Sequence, residues 1–139
     1  MQLYTGILMV LSFLVVILIR EDPVLTEVKR RYRVLRESEL PEKFQVLRRR
    51  ILVSGYKNSW FGIGYNVNKG YEIGLCLNGS PNDVFHVLLH ELCHSTIREY
   101  DHSTQFWQNL RELKAHASSL GIYEPVSSEK SFCGGTIKD

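Results

Sequence analysis

Cysteine, proline and methionine are all scarce in this chain, at 3, 4 and 2 of 139 residues. The three cysteines, Cys76, Cys93 and Cys133, cannot all pair within one chain, which suits a reducing compartment. A net charge of +2 is too small to imply nucleic-acid binding by itself. Internal repeats and low-complexity tracts are also missing. From Leu3 to Ile19 there is no charge at all. With that stretch set aside, about 120 residues remain, enough for one compact domain and not two.

The uncharged run is rich in Leu, Ile, Val, Met and Phe and is just long enough to cross a hydrocarbon core. A secretory signal needs a basic leader and a small-residue cleavage site. No Lys or Arg precedes the run, and Ile19-Arg20-Glu21-Asp22-Pro23 follows it. The reading is therefore an uncleaved single-pass anchor at residues 3–19. Arg20, Lys29, Arg30, Arg31, Arg33 and Arg36 all lie on its C-terminal side, which puts the rest of the chain on the cytoplasmic face.

What the chain does have is His90-Glu91-Leu92-Cys93-His94, the H-E-x-x-H pattern of helical zinc sites. Residues four apart on a helix are one turn on, so the two imidazoles can share one Zn²⁺. Glu91 lies about 100° round the helix from His90, near enough to act as a base on a metal-activated water without ligating. Val84, Val87, Leu88, Leu92 and Ile97 recur at helical spacing, and Asn82 or Asp83 can cap the helix start. Cys93, between the histidines, reads as a small packing residue.

A catalytic zinc usually takes three protein ligands. Downstream donors are Glu99, Asp101, His102 and His116. The metzincin pattern is excluded, because Ile97 and Tyr100 stand where it needs Gly and His, and no Met follows Met9 to make its Met-turn. His102 is the best third ligand: it falls between the end of the motif helix and a new helical pattern at Ser103 or Thr104. His116 lies inside that next helix, and His86, one turn before His90, is a minor rival or supporting group.

The motif, followed by Asp101-His102-Ser103-Thr104-Gln105-Phe106-Trp107, resembles the WLM metalloproteases and the related SprT-like zincins. Gly64-Tyr65-Asn66-Val67-Asn68-Lys69-Gly70-Tyr71-Glu72-Ile73 resembles the segment that precedes the motif in the WLM group. The resemblance spans roughly residues 44 to 125. It implies His90, His94 and His102 as zinc ligands, Glu91 as catalytic base, and Phe106 and Trp107 packing the second helix against the site. Asp101 and Ser103 flank the third histidine where family members often carry Gly.

The fold expected is α+β: a minimal zincin-like domain with a small antiparallel or mixed sheet on a motif helix and a second C-terminal helix, preceded by the transmembrane helix. Residues 1–20 form the anchor, 21–41 a basic juxtamembrane helix and linker, 42–125 the metalloprotease domain and 126–139 a tail. Val24, Val28, Tyr32 and Leu35 share one face of the basic helix. Its Lys29 to Arg36 cluster is a candidate contact for anionic lipid or DNA. Phe44 to Leu77 looks strand-rich, and Tyr71, Ile73, Leu75 and Leu77 alternate with Glu72, Gly74 and Cys76 as in a half-buried strand. By the resemblance, such a strand at a sheet edge holds an extended peptide over the metal. Phe106, Trp107, Leu110, Leu113, Ala117 and Leu120 form the stripe of the last helix, with Gly121 after it.

The chemistry expected is peptide-bond hydrolysis by metal-activated water, with Glu91 as proton carrier and protein or peptide as substrate. Tyr100 or Tyr123 is a candidate oxyanion donor, and Asp101 orients an imidazole or caps the next helix. Cys133 in the tail is a candidate to block the open metal position as a thiolate. Two other functions compete: a protease acting on DNA-bound proteins, and a zinc-stabilised binding module without catalysis.

Overall fold

In the computed structural model, residues 1–18, 20–69, 71–99 and 101–139 are described. The chain begins with α1 (Gln2–Leu18), α2 (Pro23–Glu37) and a 3₁₀ helix (Glu42–Arg48). Strands β1 (Leu52–Tyr56), β2 (Gly64–Val67) and β3 (Glu72–Cys76) follow, then α3 (Pro81–Cys93) and a 3₁₀ turn (His94–Thr96). Helix α4 (Thr104–Ser119) and a hairpin of β4 (Lys130–Phe132) and β5 (Gly135–Ile137) complete it.

Each long helix after α1 has a local start and stop. Asp22 caps α2 by accepting from Val24 N, and Pro23 opens it. Ser80 caps α3 through Asp83 N, with Pro81 in the first turn, so the cap is neither Asn82 nor Asp83. Ser103, not Asp101, caps α4 through Phe106 N. At the other end of α4, Gly121 takes a φ of +73°, Gly121 N donates to Ser118 O and Ile122 N to Ala117 O. That is the paired bonding of a left-handed glycine stop.

The expected anchor is not realised. Helix α1 has 17 residues, about 25 Å at helical rise against a hydrocarbon core of about 30 Å. Among the described residues no helix is long and apolar enough to cross a membrane. The single-pass topology and the cytoplasmic orientation built on it are withdrawn. Ile19 lies outside the described residues. The side chains of α1 from Leu3 to Val16 are exposed, and none joins the core.

The three-stranded sheet has the order β1-β3-β2, with β1 parallel and β2 antiparallel to β3. It is thus mixed, and the strand expected to lie at an edge is its centre. Ile73, Gly74, Leu75 and Cys76 are all buried, so the alternation of this segment does not mark a half-exposed strand. A central strand has neighbours on both sides, and the Tyr65 ring covers one face of Gly74, where a Cβ would come within 2.2 Å of it. The edge beside α3 is β2. Gly64 lets it approach closely, because a Cβ there would lie 2.7 Å from Val87 Cγ1 on α3.

One core joins these parts. Leu25, Val28, Tyr32 and Leu35 of α2 are buried with Phe44 and Leu47 of the 3₁₀ helix, which replaces part of the strand expected after Phe44. Tyr32 OH donates to Leu47 O and Arg49 O, and Arg31 donates to Ile122 O. Asn82 and Glu124 exchange two hydrogen bonds of 2.8 Å. Phe132 and Ile137 of the final hairpin are also buried in this core.

The C-terminal segment is therefore structured where an irregular tail was expected. Cys133, between β4 and β5, forms a disulfide with Cys76 at the end of β3. Cys93 is the free, buried cysteine. Pairing two of three cysteines removes the support that their number gave to a reducing compartment. It also removes Cys133 as a free thiolate for a metal.

Candidate metal centre

The last turn of α3 carries His90 and Glu91, and His94 begins the 3₁₀ turn that follows. The motif helix stops there, so Ile97 lies beyond it, in extended backbone. The chain then returns and brings His102 up to the same point just ahead of α4. His102 Nε2 lies 3.1 Å from His90 Nε2 and 3.2 Å from His94 Nε2. Among the described residues, these three side chains form the group of donors close enough to hold a metal ion.

The donor set fits zinc chemistry. Zinc–imidazole bonds of about 2.0–2.1 Å at tetrahedral angles put ligand nitrogens about 3.3 Å apart, close to the spacings found. His90 and His94 are also held neutral, as ligands must be. Burial, then the neighbouring His94 and His102, push His90 down to about 3. Burial is also the main cause that lowers His94.

Glu91 is half-buried, and desolvation pushes its carboxyl up to about 7. A carboxyl in that range both accepts and returns a proton at neutral pH. Its backbone carbonyl accepts from Asn66 Nδ2 of β2 at 2.8 Å, which ties the edge strand to the motif.

Aromatic rings form the floor and rim. Phe106 is fully buried, with its ring 5.0, 4.6 and 4.8 Å from the rings of His90, His94 and His102. Trp107 lies 5.3 Å from His102 and 6.2 Å from His90 and stays 46% exposed, so it is a rim residue and not part of a buried stripe. Cys93 contacts Thr96 and Phe106 O, and burial pushes its thiol up to about 11, as for a packing residue.

Three groups that position the site have no local sequence signal. Lys69, in the turn after β2, donates to the carbonyls of Ile97, Arg98 and Glu99 and so holds the connection that carries His102. Buried Asn109 of α4 donates to Thr96 Oγ1 and accepts from Lys43, fixing the turn after His94. Ser95 donates to Lys69 O. Each contact spans a long sequence separation.

Other expectations fall elsewhere. Asp101 is exposed and has no hydrogen bond or ion pair among the described residues. Tyr123 is buried, and its hydroxyl donates to Asp139 at 2.5 Å while lying 2.8 Å from His86 Nδ1. Its one proton goes to the carboxylate, so His86 Nδ1 carries the proton between them. This hydroxyl is engaged away from the imidazole triad; Tyr100 lies outside the described residues. His86 itself stays out of the triad, and burial pushes it down to about 4. His116 meets Ser38 Oγ at 2.9 Å. In the basic cluster, Glu27 pairs with Arg30 and Arg31, and Glu21 with Lys29, which leaves less free charge for a polyanion.

A His-Glu-x-x-His helix with a third imidazole delivered by the next connection, beneath a small mixed sheet, defines a metal site of the metalloprotease-like kind. The family comparison agrees: the WLM domain matches residues 23–136, and the chain belongs to that zinc metalloprotease-like family. Uncharacterized protein 136R of Invertebrate iridescent virus 6 is 32% identical over 79 residues, which is 50% of this chain. The similar stretch spans 44% of that viral protein's length. No solved structure matches.

Proposed function

We propose that this chain is a zinc-dependent endopeptidase in which His90, His94 and His102 hold Zn²⁺ and Glu91 is the general base. The observation that carries the reading is the convergence of three imidazole nitrogens, with His90 and His94 kept neutral by burial, at the end of the helix that carries Glu91, whose carboxyl is pushed up to about 7. A purely structural zinc site has no use for that carboxyl. Membership of the WLM family supports the same reaction class.

When bound, Zn²⁺ supplies a Lewis acid that polarises a carbonyl and acidifies water. Glu91 takes the proton of the attacking water and delivers it to the leaving amine. Phe106 packs against the imidazole rings from the core side, and Trp107 stands beside His102, whose ring stays exposed. The free side of β2 offers backbone groups along the site, so an extended substrate adds there as a fourth strand. Exposed Tyr65 and Val67 meet its side chains.

The test is cleavage of a pool of unfolded proteins and peptides by the zinc-loaded chain beside Glu91→Gln of equal metal content. Cleavage should fall by at least about 10²-fold in the variant while zinc is retained. If both proteins are inert with zinc bound, the peptidase reading gives way to a zinc-stabilised binding module. Cleavage that appears only with DNA present would favour DNA-bound substrates.

A further inference from the structure

The final hairpin does more than close the core. Beside His90 and Glu91 lies a cavity of about 260 Å³ whose walls include Trp107, Leu110, Ile137 and Lys138. A second hollow of about 510 Å³ adjoins it, sharing Trp107, Leu110, Lys114 and Lys138 and extending to Arg111 and Pro125. Together they make a trough that starts at the imidazole triad and runs along α4, with β5 and the residues after it as one wall.

That wall is held firmly. The disulfide Cys76–Cys133 ties the hairpin to β3, and Lys130 pairs with Asp83 of α3 at 3.0 Å. Asp139 is held by Tyr123, by Lys114 at 2.9 Å and by Val126 N at 3.0 Å. The trough is therefore formed before any peptide arrives, and less ordering cost falls on binding.

Its charge is one-sided. The acidic residues lining the two hollows are Glu91, at the reaction centre, and Asp139, already engaged by Lys114 and Tyr123. Arg111 lines the far part and Lys138 stands where the two hollows meet; both are exposed and have no acidic partner among the described residues. The near part mixes polar groups with an apolar set of Ile63, Val87, Leu110 and Ile137 that can receive an apolar side chain.

We propose that this trough binds one flank of the substrate, taking an apolar side chain next to the scissile bond and acidic side chains beyond it. The substrate class is then acidic peptide segments, with Arg111 and Lys138 as specificity-determining residues. This inference rests on the peptidase reading for its reaction, but its binding component does not.

Two measurements on the full zinc-loaded chain separate them. The first is cleavage of a peptide library randomised on both sides of the scissile bond, read by mass spectrometry. Asp and Glu should exceed Lys and Arg by about five- to ten-fold in kcat/KM on one flank, the scale of two exposed ion pairs. Arg111→Glu with Lys138→Glu should invert that ratio, at equal metal content and unchanged circular dichroism. Cleavage with no acidic preference, or with one that survives both reversals, overturns the trough and leaves the peptidase standing.

The second is binding to Glu91→Gln of a fluorescein-labelled peptide carrying Leu-Asp-Asp and of its Leu-Lys-Lys counterpart, by anisotropy. Tighter binding of the acidic peptide that reverses with the charge reversals upholds the trough even if no peptide is ever cleaved. Equal binding of the two peptides overturns it.

Discussion

Replacing Cys133 by Ser should cost this fold more than most single surface changes, because the bond it removes spans a separation of 57 residues. In the chain-entropy account a loop of that size restricts the unfolded ensemble by about 14 cal/mol/K, or about 4 kcal/mol at 25 °C. The new hydroxyl adds little in its half-buried turn, and Cys76, left as a thiol in the core, packs as a small apolar group. The assay is urea unfolding of the oxidised chain and the variant at equal metal content. With a slope of about 1.5 kcal/mol/M, the midpoint should fall by roughly 2–3 M. Thiol titration of the denatured, unreduced chain should find one free thiol, that of Cys93. A loss of stability below about 1 kcal/mol, or three free thiols, would refute the reasoning. The hairpin would then be held by its buried Phe132 and Ile137 and its ion pairs alone.

Lys69→Met should weaken zinc binding by about 10- to 100-fold by freeing the connection that carries His102; chelator competition measures it, and an unchanged affinity would remove Lys69 from the site. Phe106→Ala should destabilise the fold by about 3–5 kcal/mol, since the ring is fully buried beneath the imidazoles; chemical denaturation of the metal-free chain checks it. His86 should titrate near 4, as burial lowers it. Its unfolded value is higher, so the unfolded chain binds the extra proton. Its contribution, on the order of 3 kcal/mol, is complete above about pH 6.5 and is lost as pH falls towards 4. An NMR titration that places His86 at the ordinary value would contradict this. Gly64→Val should displace β2 from α3, because the new Cβ meets Val87; proteolysis within residues 64–67 should then rise.

The sequence by itself determined the local part of this protein. Four-residue spacing along a helix places His90 and His94 on one face whatever surrounds them, and Gly121 marks the stop of α4 locally, whereas the cap of α3 fell at Ser80 and not at Asn82 or Asp83. The choice of His102 also came from local punctuation, since it stands in a gap between two helical patterns. Tertiary structure decided what depends on separations of tens of residues. Alternation in Tyr71 to Leu77 marks a strand but carries no record of which strands pair beside it, so β3 became the centre of the sheet and β2 its edge. Three cysteines do not reveal which two meet, and the pairing of Cys76 with Cys133 turned an apparent tail into the wall of the cavity at the triad. Hydropathy from Leu3 to Ile19 suggested a span, but among the described residues no helix is long and apolar enough to cross a membrane. Burial set the proton affinities of Glu91, His86 and His90, and burial belongs to the assembled core and not to any one stretch of chain.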